Sequence, residues 1–283
     1  HQLARMFGLR PFDVGVAGLK DKIAVAEQTF SLPLPKADIE EVAQRIRTEL
    51  LGELVWARRH ANKLRRGHLL GNRFAILVRS EEIALEPDVS LARARAIGAQ
   101  LVELGVPNFY GDQRLGDDGR NVAKGRERLT DGARDWLSNL HRTAWQAEMF
   151  NTWLVDRLEH GTSSTVLAGD VAKRLDNGAL FDVEDAAVEA PRAARREITP
   201  TGPLFGSDMR RAKLEPGVHE ERLLEASGIA WDVLERSRLM GSRRAARISL
   251  EEFACESAPD GLWLRFRLPK GSYATVVARE FTR

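Results

Sequence analysis

The amino-acid sequence predicts a mixed α/β protein: a sheet domain interrupted by a largely helical insertion. Apolar runs of strand length gather near both ends of the chain, helical periodicity fills the middle, and glycine and proline clusters separate the two. A length of 283 residues, 43% apolar and 30% charged, suits two small folded domains. The expected boundaries are 1–95 plus 246–283 for the sheet domain and 96–245 for the insertion.

The elements follow in order. Val14 to Gly18 reads as a short strand running into a glycine turn, and Ala24 to Leu32 alternates loosely as a second. Asp38 opens a helix with Ile39, Val42, Ile46 and Leu50 on one stripe. Leu54 to Trp56 has strand character, and Phe74 to Val78 is a buried-strand run between charged ends. Ser90 is an N-cap candidate for a helix carrying Leu91, Ala94, Ile97, Leu101 and Leu104, stopped by Gly105 and Pro107. Residues 107–125 have loop chemistry. A long helix then carries Leu137, Leu140, Ala144, Ala147, Asn151, Leu154 and Leu158 at helical spacing. The prolines and glycines of 187–206 argue against a regular helix there, and Glu220 to Ala226 argues for one. Leu262 to Leu268 and Tyr273 to Ala278 read as two strands around a Pro269-Lys270-Gly271-Ser272 turn, in one sheet with the strand that enters Asp21. Trp136, Phe150 and Trp153 are expected in the core of the insertion.

Composition narrows the function classes. The sequence has no run of eighteen apolar residues that would suggest a membrane span. A single cysteine, Cys255, excludes an intrachain disulfide and a multi-cysteine zinc site, and implies a reducing, cytoplasmic setting; it reads as a packed small hydrophobe. The start at His1, without methionine or signal pattern, suggests a truncated or processed chain. Net charge is only +2, yet 35 of the 43 cations are arginine, the residue that grips phosphate bidentately and stacks on bases. A GC-rich genome also inflates arginine. Position adds information: Arg58, Arg59, Lys63, Arg65, Arg66, Arg73 and Arg79 fall in residues 55–79 without one acid. That run is either a solvated face or the footprint of a nucleic-acid partner.

Familiar catalytic spacings are absent. The sequence has no Gly-x-Gly-x-x-Gly after a strand, no phosphate loop, no Gly-x-Ser-x-Gly elbow and no histidine pair three or four apart. What remains is a set of polar, turn-rich segments. Gly18-Leu19-Lys20-Asp21-Lys22 sets a carboxylate between two ammonium groups, chemistry open to a nucleophile, a base or an ordinary turn. Gly71-Asn72-Arg73-Phe74 joins an amide able to bond a base edge to an aromatic that is either core or a stacking surface.

Five segments then fall in a recognisable order. They are Ala17–Ala24 (AGLKDKIA), Lys63–Phe74 (KLRRGHLLGNRF), Gly105–Gly116 (GVPNFYGDQRLG), Pro200–Gly206 (PTGPLFG) and Leu268–Thr275 (LPKGSYAT). Together they resemble the TruD family, the pseudouridine synthases acting on uridine 13 of transfer RNA. The resemblance covers nearly the whole chain. It implies a pseudouridine synthase-type catalytic domain with a family-specific insertion, the two flanking an RNA cleft. It implies Asp21 as the catalytic carboxylate, and Asn72, Phe74 and Tyr273 around the uracil, with Lys20 beside them. Arg58, Arg59, Lys63, Arg65, Arg66 and Arg73 become the expected RNA contacts. The expected partner is transfer RNA, bound by a cytoplasmic monomer needing no metal and no nucleotide cofactor. The family pattern also includes a strand and a lysine before the Gly-Leu-Lys-Asp motif, to which nothing here corresponds. Its usual Asn-Tyr-Phe-Gly-x-Gln-Arg-Phe-Gly appears as Asn108-Phe109-Tyr110-Gly111-Asp112-Gln113-Arg114-Leu115-Gly116, with aromatic and apolar character kept. Two other classes stay open: a catalytically silent RNA-binding or RNA-folding protein on the same scaffold, and an unrelated helical interaction module.

Overall fold

A computed structural model of the chain describes every residue except Leu19, Lys22, Ile23, Arg66, 132–134 and Arg283; the side chains of Glu82 and Ala84 are likewise outside the description. The chain packs as two units, residues 1–72 and 73–283.

The first unit is made of short pieces. They are α1 (Gln2–Met6), β1 (Gly15–Val16), β2 (Phe30–Ser31) and α2 (Ile39–Glu49), with β1 and β2 paired antiparallel. Asp38 caps α2 as its sequence position requires, accepting from the backbone N–H groups of Glu40 and Glu41 at 2.8 and 3.1 Å. Ala43 and Ile46 are the buried face of that helix. The run 53–65 has no regular element among its described residues, and Lys63 secures it by donating to the Phe12 carbonyl at 2.6 Å.

The second unit opens on β3 (Gly71–Val78), whose first two residues belong to the first unit. Next come α3 (Glu81–Leu85), α4 (Pro87–Leu104), β4 (Val106–Pro107), α5 (Asp112–Leu115), α6 (Arg120–Thr130) and α7 (Trp136–Glu159). After these come β5 (Val171–Arg174), β6 (Leu180–Asp182), α8 (Ala186–Ala194), β7 (Ile198–Leu204), α9 (Leu214–Ala226) and α10 (Trp231–Ser237). The chain closes with β8 (Ser242–Ala245), β9 (Arg247–Ile248), β10 (Glu251–Ala258), β11 (Gly261–Pro269) and α11 (Ala274–Arg279).

Two sheets matter for the site. One is ordered β10-β11-β3, and its core holds Val78, Leu262, Leu264, Phe266, Leu268 and Val277. Helix α4 covers this sheet closely, because Gly98 lets the Phe253 ring of β10 sit where a side chain would stand. Cys255 is buried in this core, and burial pushes its thiol up from the ordinary value, as a packed hydrophobe requires. The other sheet is ordered β6-β5-β7-β8 and packs against α7, whose Phe150, Trp153 and Leu154 are fully buried. The cores around Trp145 and Phe205 and around Phe150 and Trp153 are separate from the core of the first sheet.

The mixed α/β class is as expected, and several elements differ from the sequence expectation. Residues 171–245 contain a four-stranded sheet, so the middle of the chain is less helical than its periodicity suggested. Tyr273 to Ala278 is not a strand: Tyr273 is the N-cap of α11, and burial of Val276 and Val277 overrides the strand preference of β-branched residues. Consequently β11 pairs with β10 and β3, while β1, the strand ahead of Asp21, pairs with β2 in a sheet of its own. Trp136 is 78% exposed, not core, because it occupies the first turn of α7 ahead of the buried stripe. Ser90 lies inside α4 rather than capping it; Pro87 at the first turn starts the helix earlier. Residues 112–130 are mostly helical, and α8 tolerates Pro191 near its end, where few backbone bonds depend on it. No helix among the described residues is long and apolar enough to cross a membrane.

Candidate active site

The site residues divide between the two units. In the first, Asp21 and Lys20 are exposed in irregular backbone just beyond β1. Gln28 donates to the Gly18 carbonyl, tying the turn to the chain that leads back into β2. Lys20 Nζ donates to Asn72 Oδ1 at 2.6 Å across 52 residues of sequence. The Gly-Leu-Lys-Asp segment and the Asn of the Gly-Asn-x-Phe segment are therefore joined by a direct side-chain bond.

The cationic run is less uniform than its sequence suggested. Arg58 is stacked 4.8 Å from the ring of the half-exposed Trp56. Arg59 donates to the carbonyls of Pro35 and Ala37 at 3.2 and 2.6 Å, and Lys63 rests 4.6 Å from the Phe12 ring. Arg65 is exposed, and Arg66 lies outside the described residues. Two of the seven cations are paired in the second unit. Arg73 grips Glu252 through two bonds of 2.6 and 2.9 Å, and Arg79 pairs with Asp260. Sequence proximity could not show this, because both acids arrive from the distant β10–β11 hairpin. Glu252 stands at a bulge in β10 with a left-handed φ of 53°, which turns its carboxylate toward Arg73.

In the second unit, Phe74 is half-buried, with its ring 5.7 Å from that of Phe266. Tyr273 is half-buried too, and it belongs to a cluster with Asn108, Tyr110, Asn151 and Arg244, of which only Arg244 lay outside the segments noted in the sequence. Asn108 is buried; its Nδ2 donates to the Ala245 carbonyl at 3.0 Å. Asn151 of α7 bonds both backbone groups of Tyr110, accepting from its N–H at 2.9 Å and donating to its carbonyl at 3.1 Å. Tyr110 then meets Tyr273 ring to ring at 5.7 Å and Phe150 at 5.8 Å. Gly111 permits this approach: a side chain there would begin 3.3 Å from the Tyr273 ring and 3.1 Å from the Thr275 hydroxyl.

Arg244 of β8 completes the cluster. Its guanidinium lies 3.9 Å from the Tyr110 ring centre. Its Nε and Nη2 donate to the carbonyl and side-chain oxygens of Asn108 at 2.9 and 2.6 Å, and its Nη1 to the Gly271 carbonyl at 3.1 Å. Burial lowers the Arg244 pKa, and Arg114 adds like-charge repulsion. Burial raises the Tyr273 hydroxyl above its ordinary value of 10.0, against the pull of Arg114 and Arg244. Asn151 stood in the helical stripe among apolar residues, a signal that a partly buried polar group had a partner to meet. Arg244 had no comparable signal.

The order of these segments has counterparts in known proteins. The family model for tRNA pseudouridine synthase D (TruD) matches residues 1–125 and 132–281. A tRNA pseudouridine synthase D of Anaeromyxobacter dehalogenans strain 2CP-C is 44% identical over 293 aligned residues, which cover 100% of this chain and 81% of that protein. The chain belongs to the TruD family. A Thermus thermophilus relative of the same name is 41% identical, covering 96% of this chain and 74% of that protein. A chain from Methanosarcina mazei whose crystal structure carries the TruD name superposes with a TM-score of 0.77, covering 99% of this chain and 83% of its own. At 21% identity, that likeness speaks to the fold alone. The Lys20–Asn72 bond joins the first and second of the five segments set out in the sequence analysis, and the Tyr110–Tyr273 contact joins the third and fifth.

Proposed function

We propose that this TruD-family protein isomerises uridine to pseudouridine in transfer RNA, at position 13, with Asp21 as the catalytic carboxylate. The bond from ribose C1′ to uracil N1 breaks, the base turns, and C1′ joins C5. The C5 proton is released and N1 gains one, so atoms and electrons balance without an oxidant or phosphate donor. Asp21 either attacks C1′ or removes the ribose proton that opens a glycal route. Asn72 holds the uracil edge or orients the Asp21 segment, and the rings of Phe74 and Tyr273 flank the base. The target uridine leaves its helical stack to reach the carboxylate, as other base-modifying enzymes require.

The observation that carries this proposal is the 2.6 Å bond from Lys20 to Asn72, which ties the residue next to Asp21 to the amide assigned to the uracil. Arg58 and Arg65, exposed and with no carboxylate partner among the described residues of the first unit, supply phosphate contacts. The separate cores of the second unit support an insertion near residues 96–245 between the parts of a catalytic domain, 1–95 plus 246–283. The protein acts as a cytoplasmic monomer.

The deciding experiment is Asp21→Asn in the complete gene product, assayed for pseudouridine at position 13 of unmodified transfer RNA. The variant keeps size and hydrogen-bonding reach and loses the negative charge. Turnover is expected to fall by several orders of magnitude with melting temperature and RNA affinity preserved. Near wild-type turnover refutes Asp21. Wild-type protein that binds the RNA and never isomerises it identifies a silent RNA binder instead.

A further inference from the structure

We propose that Arg244 is a positioning residue for this reaction: its guanidinium sets the Tyr110–Tyr273 ring pair by stacking on Tyr110 while bridging the Asn108 loop to the Gly271 turn. The proposal rests on the functional reading above, which puts Tyr273 beside the base.

Three observations on the second unit support it. The first is the fork. Arg244 spends three donors on two loops that are far apart in sequence, Asn108 through its backbone and side chain and Gly271 through its carbonyl. Gly271 immediately precedes Ser272 and Tyr273, so the bond acts on the turn that delivers the aromatic ring. The second is the stack. The guanidinium lies over the Tyr110 ring, 3.9 Å from its centre, and the same ring meets the Tyr273 ring at 5.7 Å. The third is the choice of partners. All three acceptors are neutral amide oxygens, so a partly buried cation is held without a bonded carboxylate. Satisfying backbone carbonyls alone would not require that cost; an apolar or amide side chain would fill the space more cheaply. Arginine combines a planar face for the ring with a rigid fork for the loops, and lysine offers neither.

The amide on which the fork rests is itself fixed. Asn108 uses its NH₂ on the Ala245 carbonyl and its backbone N–H on the Ala246 carbonyl, so its oxygen is presented to Arg244 in one orientation. The geometry runs from strand β8, through Arg244, to the two loops that carry the rings.

The sequence supplies a convenient probe. Tyr110 and Tyr273 are the only 2 tyrosines in the chain, so any tyrosine-specific signal reports on this cluster. The experiment compares wild type with Arg244→Lys, Arg244→Gln and Tyr110→Leu in the complete gene product. Single-turnover rate, transfer RNA affinity across a salt series, and nitration rate of each tyrosine by tetranitromethane are measured together. Thermal melting restricts the comparison to folded variants, and Tyr110→Leu approaches the same contact from its other side. Arg244→Lys and Arg244→Gln are both expected to lose roughly 100-fold in single-turnover rate, the scale of a misplacement of about 1 Å. RNA affinity and its salt slope stay unchanged, and nitration of Tyr273 accelerates in all three variants. Wild-type turnover in Arg244→Lys overturns the proposal, because charge alone would then suffice. A loss confined to affinity, with a flatter salt slope, overturns it in favour of a phosphate contact. If the wild-type protein never isomerises RNA, the functional reading falls, and unchanged Tyr273 nitration in Arg244→Lys would separately refute the clamp.

Discussion

The Lys20 ammonium donates to the side-chain oxygen of Asn72 at 2.6 Å, closing a loop of 52 residues in the first unit. Both side chains flank positions with a proposed chemical role: Lys20 precedes Asp21, and Asn72 is the second residue of β3, two before Phe74. An exposed ammonium has many alternatives in water, and a single exposed bond contributes little to folding. Its value is geometric. It holds the amide oxygen in one place.

If that bond positions the Asp21 segment, Asn72→Ala and Lys20→Met each slow single-turnover pseudouridine formation by roughly 10–100-fold, less than Asp21→Asn. The double variant is no slower than the worse single one, since both remove the same contact. Fully additive losses in a double-mutant cycle would show that the two residues act independently.

The cationic run separates into groups with different expected effects. Arg58→Gln, Arg65→Gln and Arg66→Gln together weaken transfer RNA binding, and removing each phosphate contact flattens the slope of log affinity against log salt by roughly 0.7–0.9. Arg59→Gln behaves differently, because Arg59 is committed to the Pro35 and Ala37 carbonyls. It disturbs that loop more than it changes the salt slope. Filter binding at four or five salt concentrations distinguishes the two.

The legible parts of the sequence were those where one local rule decided the outcome. Asp38 had a capping side chain directly before an amphipathic stripe, and α2 starts where expected. The Phe74 to Val78 run and the stripe of α7 were long enough for periodicity to fix their type. The failures came where tertiary partners outweighed local preference. Thr275, Val276 and Val277 favour strand in isolation and form a helix because two of them are buried. Pro191, Pro200 and Pro203 argued against a helix over 187–206: the last two do sit in strand β7, where the Pro200 carbonyl accepts from Ala246 at 2.9 Å, but Pro191 lies within helix α8. The candidate site divides in the same way. Motif order singled out Asp21, Asn72, Phe74 and Tyr273, while Arg244 is held by partners from distant segments, which no local pattern encodes.

The capping of α7 gives a pH-dependent signature. Asp135 has its pKa lowered from 3.8 to about 2, first by the Ser138 hydroxyl and then by the Ser138 backbone N–H, with Leu137 N–H adding to both. A carboxyl with a lowered folded-state pKa contributes fully above its unfolded value of 3.8, and that contribution is lost as pH falls toward about 2. Asp135→Asn keeps an acceptor for the cap without the charge. The melting temperature of wild type therefore exceeds that of the variant at neutral pH, and the two curves converge between about pH 4 and pH 2. A constant difference through that window would assign the effect to packing instead.

Phe74 is where a structural and a catalytic role can be separated most cleanly. Its ring is half-buried against Phe266, so part of its surface serves the β3–β11 core. Phe74→Ala removes both functions and costs folding stability, roughly 1–3 kcal/mol for a ring that is only partly buried. Phe74→Leu keeps apolar volume against Phe266 and is expected to cost less than about 1.5 kcal/mol of stability. It nonetheless removes the flat face proposed above to stack on uracil, and a base–aromatic stack contributes about 1–3 kcal/mol. Phe74→Leu should therefore melt near the wild-type temperature, bind whole transfer RNA normally through the cationic run, and lose roughly 5–150-fold in kcat/KM. Phe74→Tyr and Phe74→Trp, which restore a ring, should recover most of that loss wherever the larger side chain is accommodated. Should Phe74→Leu instead turn over like wild type, Phe74 is a core residue alone, and the stacking wall of the pocket must come from Tyr273.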